Sequence, residues 1–267
     1  MSSGIIARVK TVIFYVCLIS TVLFWDMVLR TLIVIKYSLA RKVINRMDSK
    51  IGEAMFRLAR VYMGLRVIRE NIDSSNLPHH FLILSNHQSF LDIPVIYTSF
   101  PSINPRFVAK KSLGKGVPLI SSLLRVEQHA LINRQKDFAW AMKALVNLAK
   151  RARRGYCPVI FPEGTRSKTG ELGKLHSGAV RMILSTSPMP VLTVVIDGGY
   201  KLSSVKELVK YGIAYDLRIK QLKLYPTPKN KKEVLLLLQE TREEMDKQLR
   251  IWREEEGNKV PAKTGKG

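Results

Sequence analysis

Two short segments of this chain hold residue types that do chemistry together. Asn86-His87-Gln88-Ser89-Phe90-Leu91-Asp92 sets a histidine and a carboxylate five positions apart. A neutral imidazole near pH 7 can take a proton from a hydroxyl, and a carboxylate can fix its tautomer and stabilise the imidazolium. Phe161-Pro162-Glu163-Gly164-Thr165-Arg166-Ser167 combines a glycine turn with an arginine. Gly164 lets backbone N–H groups approach an anion, Thr165 sits in the same turn, and the planar fork of Arg166 suits phosphate oxygens. Glu163 either orients Arg166 or accepts from a second hydroxyl of the acceptor. Together the segments describe an enzyme that activates a hydroxyl on a phosphorylated acceptor.

Each segment also has a plainer reading. On a continuous helix a step of five turns two side chains well over a right angle apart. His87 and Asp92 therefore meet only if His87 lies in a loop and Asp92 in the first helical turn, where Pro94 is tolerated. Ser89 and Asp92 equally spell a capping box. A lone histidine defaults to a packed or surface residue, and Glu-Gly-Thr-Arg alone defaults to a β-turn with an incidental ion pair. Only the fold can bring Glu163 to His87.

The elements that must position these residues alternate between short apolar runs and helical patterns, as an α/β domain requires. Strands are expected at Leu65–Ile68, Phe81–Ser85, Arg106–Ala109, Ala130–Ile132, Cys157–Phe161, Val191–Ile196 and Tyr211–Lys220. Helices are expected at Ile93–Thr98, Leu113–Leu124, Asp137–Arg153, Lys174–Thr186 and Lys232–Arg253. Both chemical segments then follow strand ends, where open α/β sheets bind ligands. Residues 1–65 read as membrane-associated helices, 66–256 as the α/β domain and 257–267 as a disordered basic tail.

The charge balance narrows the partners. Among 267 residues, 44 Lys plus Arg against 21 Asp plus Glu leave a net charge of +23. That surplus suits nucleic acid or anionic lipid. Aromatic residues make up only 8% and none cluster among the basic runs, which argues against nucleic acid. The apolar stretch Thr11–Ile35, broken by Asp26 and Arg30 at a spacing of four, argues for lipid. From Leu39 the apolar positions Val43, Met47, Ile51, Met55, Leu58, Val61 and Leu65 recur at helical spacing between basic residues. That pattern suits either the headgroup layer or packing on the domain. Cys17 and Cys157 form no metal clip or disulfide framework, and His79, His80, His129 and His176 read as ordinary surface or loop residues.

At the two chemical segments the chain resembles the glycerolipid acyltransferase family, whose best-known members convert 1-acyl-glycerol-3-phosphate to phosphatidate. The family's His-four-residues-Asp motif matches as His87 to Asp92, and its Phe-Pro-Glu-Gly-Thr-Arg-Ser block as Phe161 to Ser167. Phe107 to Leu113 with Pro118 and Arg134 resembles its intermediate block, and Pro188 to Val191 its fourth. The resemblance implies a mostly parallel sheet flanked by helices behind an N-terminal helical membrane-binding motif. It implies His87 as general base, Asp92 as its orienter, and Glu163, Gly164, Thr165 and Arg166 around the acceptor phosphate, with Lys110 adding a cation. No metal or other cofactor is implied; acyl-coenzyme A or an acyl carrier protein is the co-substrate.

The expected partners are a membrane lipid acceptor, the acyl donor and an anionic membrane surface, with the catalytic domain facing the cytoplasm. Departures from the family pattern at Ser121-Ser122, Asn133 and Leu175-His176 bear on the acceptor. Glycerol-3-phosphate or a lyso-aminolipid are alternatives within the same chemistry. A thioesterase and a non-catalytic anionic-lipid binder are alternatives outside it.

Overall fold

The computed structural model describes residues 2–133, 138–202 and 215–259. Arg134 and Asp137 lie outside them, as do residues 211–214 of the expected last strand and 260–267 of the expected tail.

The chain enters through two helices, α1 (Ser2–Ile35) and α2 (Tyr37–Met63). An alternating series follows: β1 (Arg66–Glu70), β2 (Leu82–Ser85), α3 (Asp92–Ser99), β3 (Asn104–Lys110), α4 (Ile120–Val126), β4 (Ala130–Ile132), α5 (Phe138–Ala152) and β5 (Tyr156–Ile160). It closes with α6 (Gly178–Thr186), β6 (Val191–Asp197), β7 (Asp216–Tyr225) and α7 (Lys231–Lys259). The strands form a seven-stranded sheet in the order β1-β7-β6-β2-β5-β3-β4. All neighbouring pairs are parallel except β6 with β7. This is the mostly parallel, helix-flanked sheet that the resemblance implies.

Pleat alternation divides the core between the two faces. Ile83, Phe107, Val159 and Val194 point to one side, against Phe56 and Ala59 of α2 and Val95 and Ile96 of α3. Leu82, Leu84, Ile160 and Val191 point to the other, against α5, α6 and Leu237 of α7. The chain leaves β2 through α3 on the first face toward β3, and leaves β5 through α6 on the second face toward β6. β2 and β5 are neighbours whose exits run opposite ways, so a crevice opens between their carboxyl ends.

Three expected helices differ in extent, the last of them running to Lys259 rather than Arg253 and so into the first residues of the expected disordered tail. The one expected over Leu113–Leu124 is a 3-10 turn at Lys111–Gly114 followed by α4. Gly116 at φ 85 and Leu119 at φ 60 break the continuity around Pro118. The helix expected from Lys174 starts at Gly178, because residues 172–176 are drawn across the sheet rim toward Glu163 and Pro162.

The N-terminal helices are both apolar surface and domain component. Leu29 of α1 is buried with Ala40 and Ile44 of α2 and Val126 of α4. Asp26 takes Arg30 at 2.8 Å and the Ser122 hydroxyl at 3.2 Å. Val16, Ile19, Leu23, Phe24, Met27, Val34 and Ile35 remain exposed on the same helix. Residues Tyr15–Ile35 are long and apolar enough to cross a membrane, with mean hydropathy 1.9. On α2 the buried stripe is Ala40, Ile44, Gly52, Phe56, Ala59 and Met63, one position out of step with the stripe expected from Leu39. The helix carries two adjacent apolar rows, and the domain takes the one with the smaller residues.

A buried polar cluster fastens α2 to the sheet. The Arg106 guanidinium donates to the Asn45 side chain at 2.6 Å and to the Pro105 carbonyl at 2.8 Å, and stands 3.7 Å from Glu127. His129 is buried here, contrary to its expected surface position. Its Nδ1 accepts the Phe107 N–H at 2.9 Å, so Nε2 donates to Glu127 at 2.7 Å. The Tyr97 hydroxyl donates to the same carboxylate. Asp48 hydrogen-bonds Glu127 as well; burial, and next the Glu127 charge, push its carboxyl up to about 10.

Candidate active site

The site is built at the crevice between β2 and β5. β2 ends at Ser85, and Asn86 continues its ladder with a side chain in place of backbone. The Asn86 amide donates to the Ile196 carbonyl at 2.7 Å and its oxygen accepts the Ile196 N–H at 2.8 Å. His87 then leaves the sheet in a loop, and α3 begins at Asp92. The five-residue step thus closes across a loop and a first helical turn. His87 Nδ1 lies 2.6 Å from Asp92 Oδ2.

The same carboxylate oxygen accepts the backbone N–H groups of Gln88 at 2.7 Å and Ser89 at 2.9 Å. An oxygen receiving those donors is an acceptor, so Nδ1 carries the hydrogen and the neutral ring keeps its lone pair on Nε2. Asp92 is fully buried, while the His87 side chain keeps 20% exposure. The capping-box alternative is half met: Asp92 reaches back to the Ser89 N–H, while the Ser89 hydroxyl accepts from Leu91. One side chain holds both the helix start and the imidazole.

The second segment grips the first. Glu163 Oε1 accepts the His87 N–H at 2.8 Å, and Oε2 accepts the Gly173 N–H at 2.7 Å. The Ser167 N–H donates to the His87 carbonyl at 2.8 Å. The Phe161 ring stacks on the imidazole with centroids 4.1 Å apart and planes at 13°. Histidine backbone and ring are therefore both held from the β5 side. Burial pushes the Glu163 carboxyl up, and its two N–H bonds offset part of that rise.

Both Glu163 oxygens accept backbone N–H groups, of His87 and Gly173, and among the described residues no contact joins Glu163 to Arg166. The Gly164 N–H closes a turn onto the Phe161 carbonyl at 3.0 Å. Glycine is needed there because φ is 75°. The N–H groups of His87, Gln88 and Ser89 are likewise spent, so they supply no donors to a tetrahedral oxyanion.

Thr165 and Arg166 are exposed at the tip of the loop, and no described residue pairs with the Arg166 guanidinium. Lys110 is exposed at the carboxyl end of β3. The registers place Phe107 beside Val159 and Val159 beside Ile83, so Lys110 stands level with Asn86 two strands away, about 10 Å across the rim. Cys157 is buried within β5, and burial pushes its thiol up to about 11, as suits a packed strand residue. Among the described residues no cluster of His, Cys, Asp and Glu has the geometry to hold a metal.

Asn86 and Gln88 stand in the first chemical segment with no role read for them, and sequence patterning gave no sign of Asp197. Gln88 is buried, and its amide donates to Asp197 at 2.9 Å and to the Gly170 carbonyl at 3.3 Å. Burial pushes the Asp197 carboxyl up. Only its place at the end of an apolar strand parallel to β2 could have marked it.

Residues 66–197, just under half of the chain, match the family model Acyltransferase. Its relatives include the 1-acyl-sn-glycerol-3-phosphate acyltransferase of Cocos nucifera, 27% identical over 73% of this chain and 60% of that protein. The protein of the same name from Helicobacter pylori is 32% identical over 49% of this chain and 54% of its own. The chain thus spans less than two thirds of these relatives. The crystal structure of the 1-acyl-sn-glycerophosphate acyltransferase PlsC from Thermotoga maritima superposes with TM-score 0.71 at 22% identity, covering 94% of this chain and 97% of that one.

Proposed function

We propose that this protein transfers a fatty acyl group from an acyl thioester to the free hydroxyl of 1-acyl-glycerol-3-phosphate, giving phosphatidate. The observation that carries this proposal is the His87–Asp92 contact of 2.6 Å, clamped from the neighbouring strand end by Glu163 and Ser167. Nε2 of His87 removes the hydroxyl proton as the oxygen attacks the thioester carbon. Asp92 stabilises the imidazolium that forms. The tetrahedral intermediate collapses with loss of the thiolate, which takes up the proton. The acceptor phosphate lies against Arg166, whose guanidinium is unspent in the fold, with Thr165 beside it and Lys110 adding charge at the rim.

The donor is acyl-coenzyme A or an acyl carrier protein; no other cofactor or metal enters the scheme. The exposed apolar face of α1 sits in the membrane while its opposite face packs on α2 and α4. This favours a half-embedded helix over a free span, and keeps the catalytic domain at an anionic cytoplasmic surface.

The test is turnover of labelled acyl thioesters by the purified protein in detergent, with a panel of acceptors. Lysophosphatidate is consumed faster than glycerol-3-phosphate or lyso-aminolipid. His87→Ala and Asp92→Asn lose turnover and keep the fold. A His87→Ala protein as active as the parent defeats the general-base assignment, and acyl release unaffected by acceptor points to a thioesterase.

A further inference from the structure

The His87–Asp92 turn is gripped from the β6 side as well as from β5. The Gln88 amide has one possible orientation. Its Nε2 faces two acceptors, Asp197 Oδ1 at 2.9 Å and the Gly170 carbonyl at 3.3 Å, while its Oε1 faces the Tyr200 N–H at 3.4 Å. Asp197 terminates β6, and Arg253 reaches over from α7. The Arg253 guanidinium donates to the Gly170 carbonyl at 2.6 Å and lies 3.7 Å from Asp197. Gly170 belongs to the loop that carries Thr165 and Arg166. Two residues past Asp197, a Cβ on Gly199 would stand 2.8 Å from the Ser89 hydroxyl and 3.2 Å from Asp92 Oδ1. The end of β6 therefore presses directly on the turn that holds the imidazole.

We propose that Gln88, Asp197 and Arg253 form a brace that sets the His87–Asp92 turn relative to the Arg166 loop. Gln88 and Asp197 are then positioning residues for acyl transfer. Gln88 is the only member that touches both parts: its backbone N–H holds Asp92, and its side chain holds Gly170. Neither function reaches the reacting atoms, so the brace acts through alignment of base and acceptor. This inference rests on the acyl-transfer proposal above.

The test reverses the polarity of one bond. Gln88→Glu is isosteric but sets an oxygen against the two acceptors. It lowers kcat for lysophosphatidate at least 10-fold per folded molecule and leaves the thioester KM within 3-fold. In the double variant Gln88→Glu/Asp197→Asn the new amide at position 197 donates to the new carboxylate at position 88. That variant recovers at least 3-fold of the lost kcat, although Asp197→Asn alone lowers it. Wild-type kcat in Gln88→Glu, or no recovery in the double variant, overturns the brace. A loss of kcat that vanishes once melting curves correct for unfolded protein also overturns it. The underlying proposal fails separately, through absence of transfer by the wild type or full activity of His87→Ala.

Discussion

Glu163→Gln separates a backbone clamp from a substrate contact. The carboxylate serves two N–H groups, of His87 at 2.8 Å and Gly173 at 2.7 Å, and the residue is 7% exposed. A glutamine has one acceptor oxygen, so one N–H faces an NH2 group and is left unpaired. A buried donor without a partner costs about 1–3 kcal/mol. For a chain of this size each kcal/mol lowers Tm by about 2–4 °C, so a fall of roughly 2–12 °C is expected. A loosened His87 backbone also moves the imidazole, and a shift of about 1 Å costs on the order of 100-fold in rate. The assay is thermal unfolding beside acceptor-saturated turnover, read on the same preparation. Tm and kcat fall together while acceptor KM stays within a few fold. Unchanged Tm with a raised acceptor KM would refute the clamp and assign Glu163 to the acceptor instead.

Three further outcomes follow from the same structure. Arg166→Ala, at an exposed and unspent side chain, raises acceptor KM at least 10-fold and leaves Tm within about 1 °C of the parent; an unchanged KM removes the phosphate contact. Asn86→Ala leaves both polar groups of Ile196 unpaired in a fully buried strand and lowers unfolding free energy by about 2–5 kcal/mol in urea titration. Asp48 titrates near 10 in the fold against 3.8 ordinarily, so the folded chain holds a proton there that the unfolded chain has released at neutral pH. Stability from that proton is complete below about 4 and is lost as pH rises toward 10. Asp48→Asn, which keeps a donor to Glu127, flattens the decline of Tm between pH 7 and 10; an equal slope in both proteins contradicts the shared proton.

Strand ends were legible to within a residue because buried parallel strands are short apolar runs: β2 ends at Ser85 as expected, and β5 at Ile160, one residue before the expected Phe161. The His87–Asp92 contact was legible for a related reason: a step of five joins two side chains only across a loop into a helix start. The work of Glu163 was not, since it depends on β2 and β5 being neighbours although 76 residues separate Glu163 from His87. Gln88 and Asp197 lay further out of reach, because hydrogen-bond partners 109 residues apart leave no periodicity in a single sequence. His129 misled for the opposite reason. A histidine in a polar stretch looks exposed until Phe107 and Glu127 claim its two nitrogens. The mid-chain helix was overextended because apolar spacing continues through Gly116 and Pro118 while the backbone does not.

The phenyl face above His87 has an energetic consequence of its own. A π cloud attracts a cation more strongly than a neutral ring, by about 0.5–2 kcal/mol depending on solvent access. When the imidazole gains a proton during transfer, Phe161 at 4.1 Å favours that species over the resting one. An apolar side chain would then contribute to rate rather than to affinity, because its attraction grows only as the barrier is climbed.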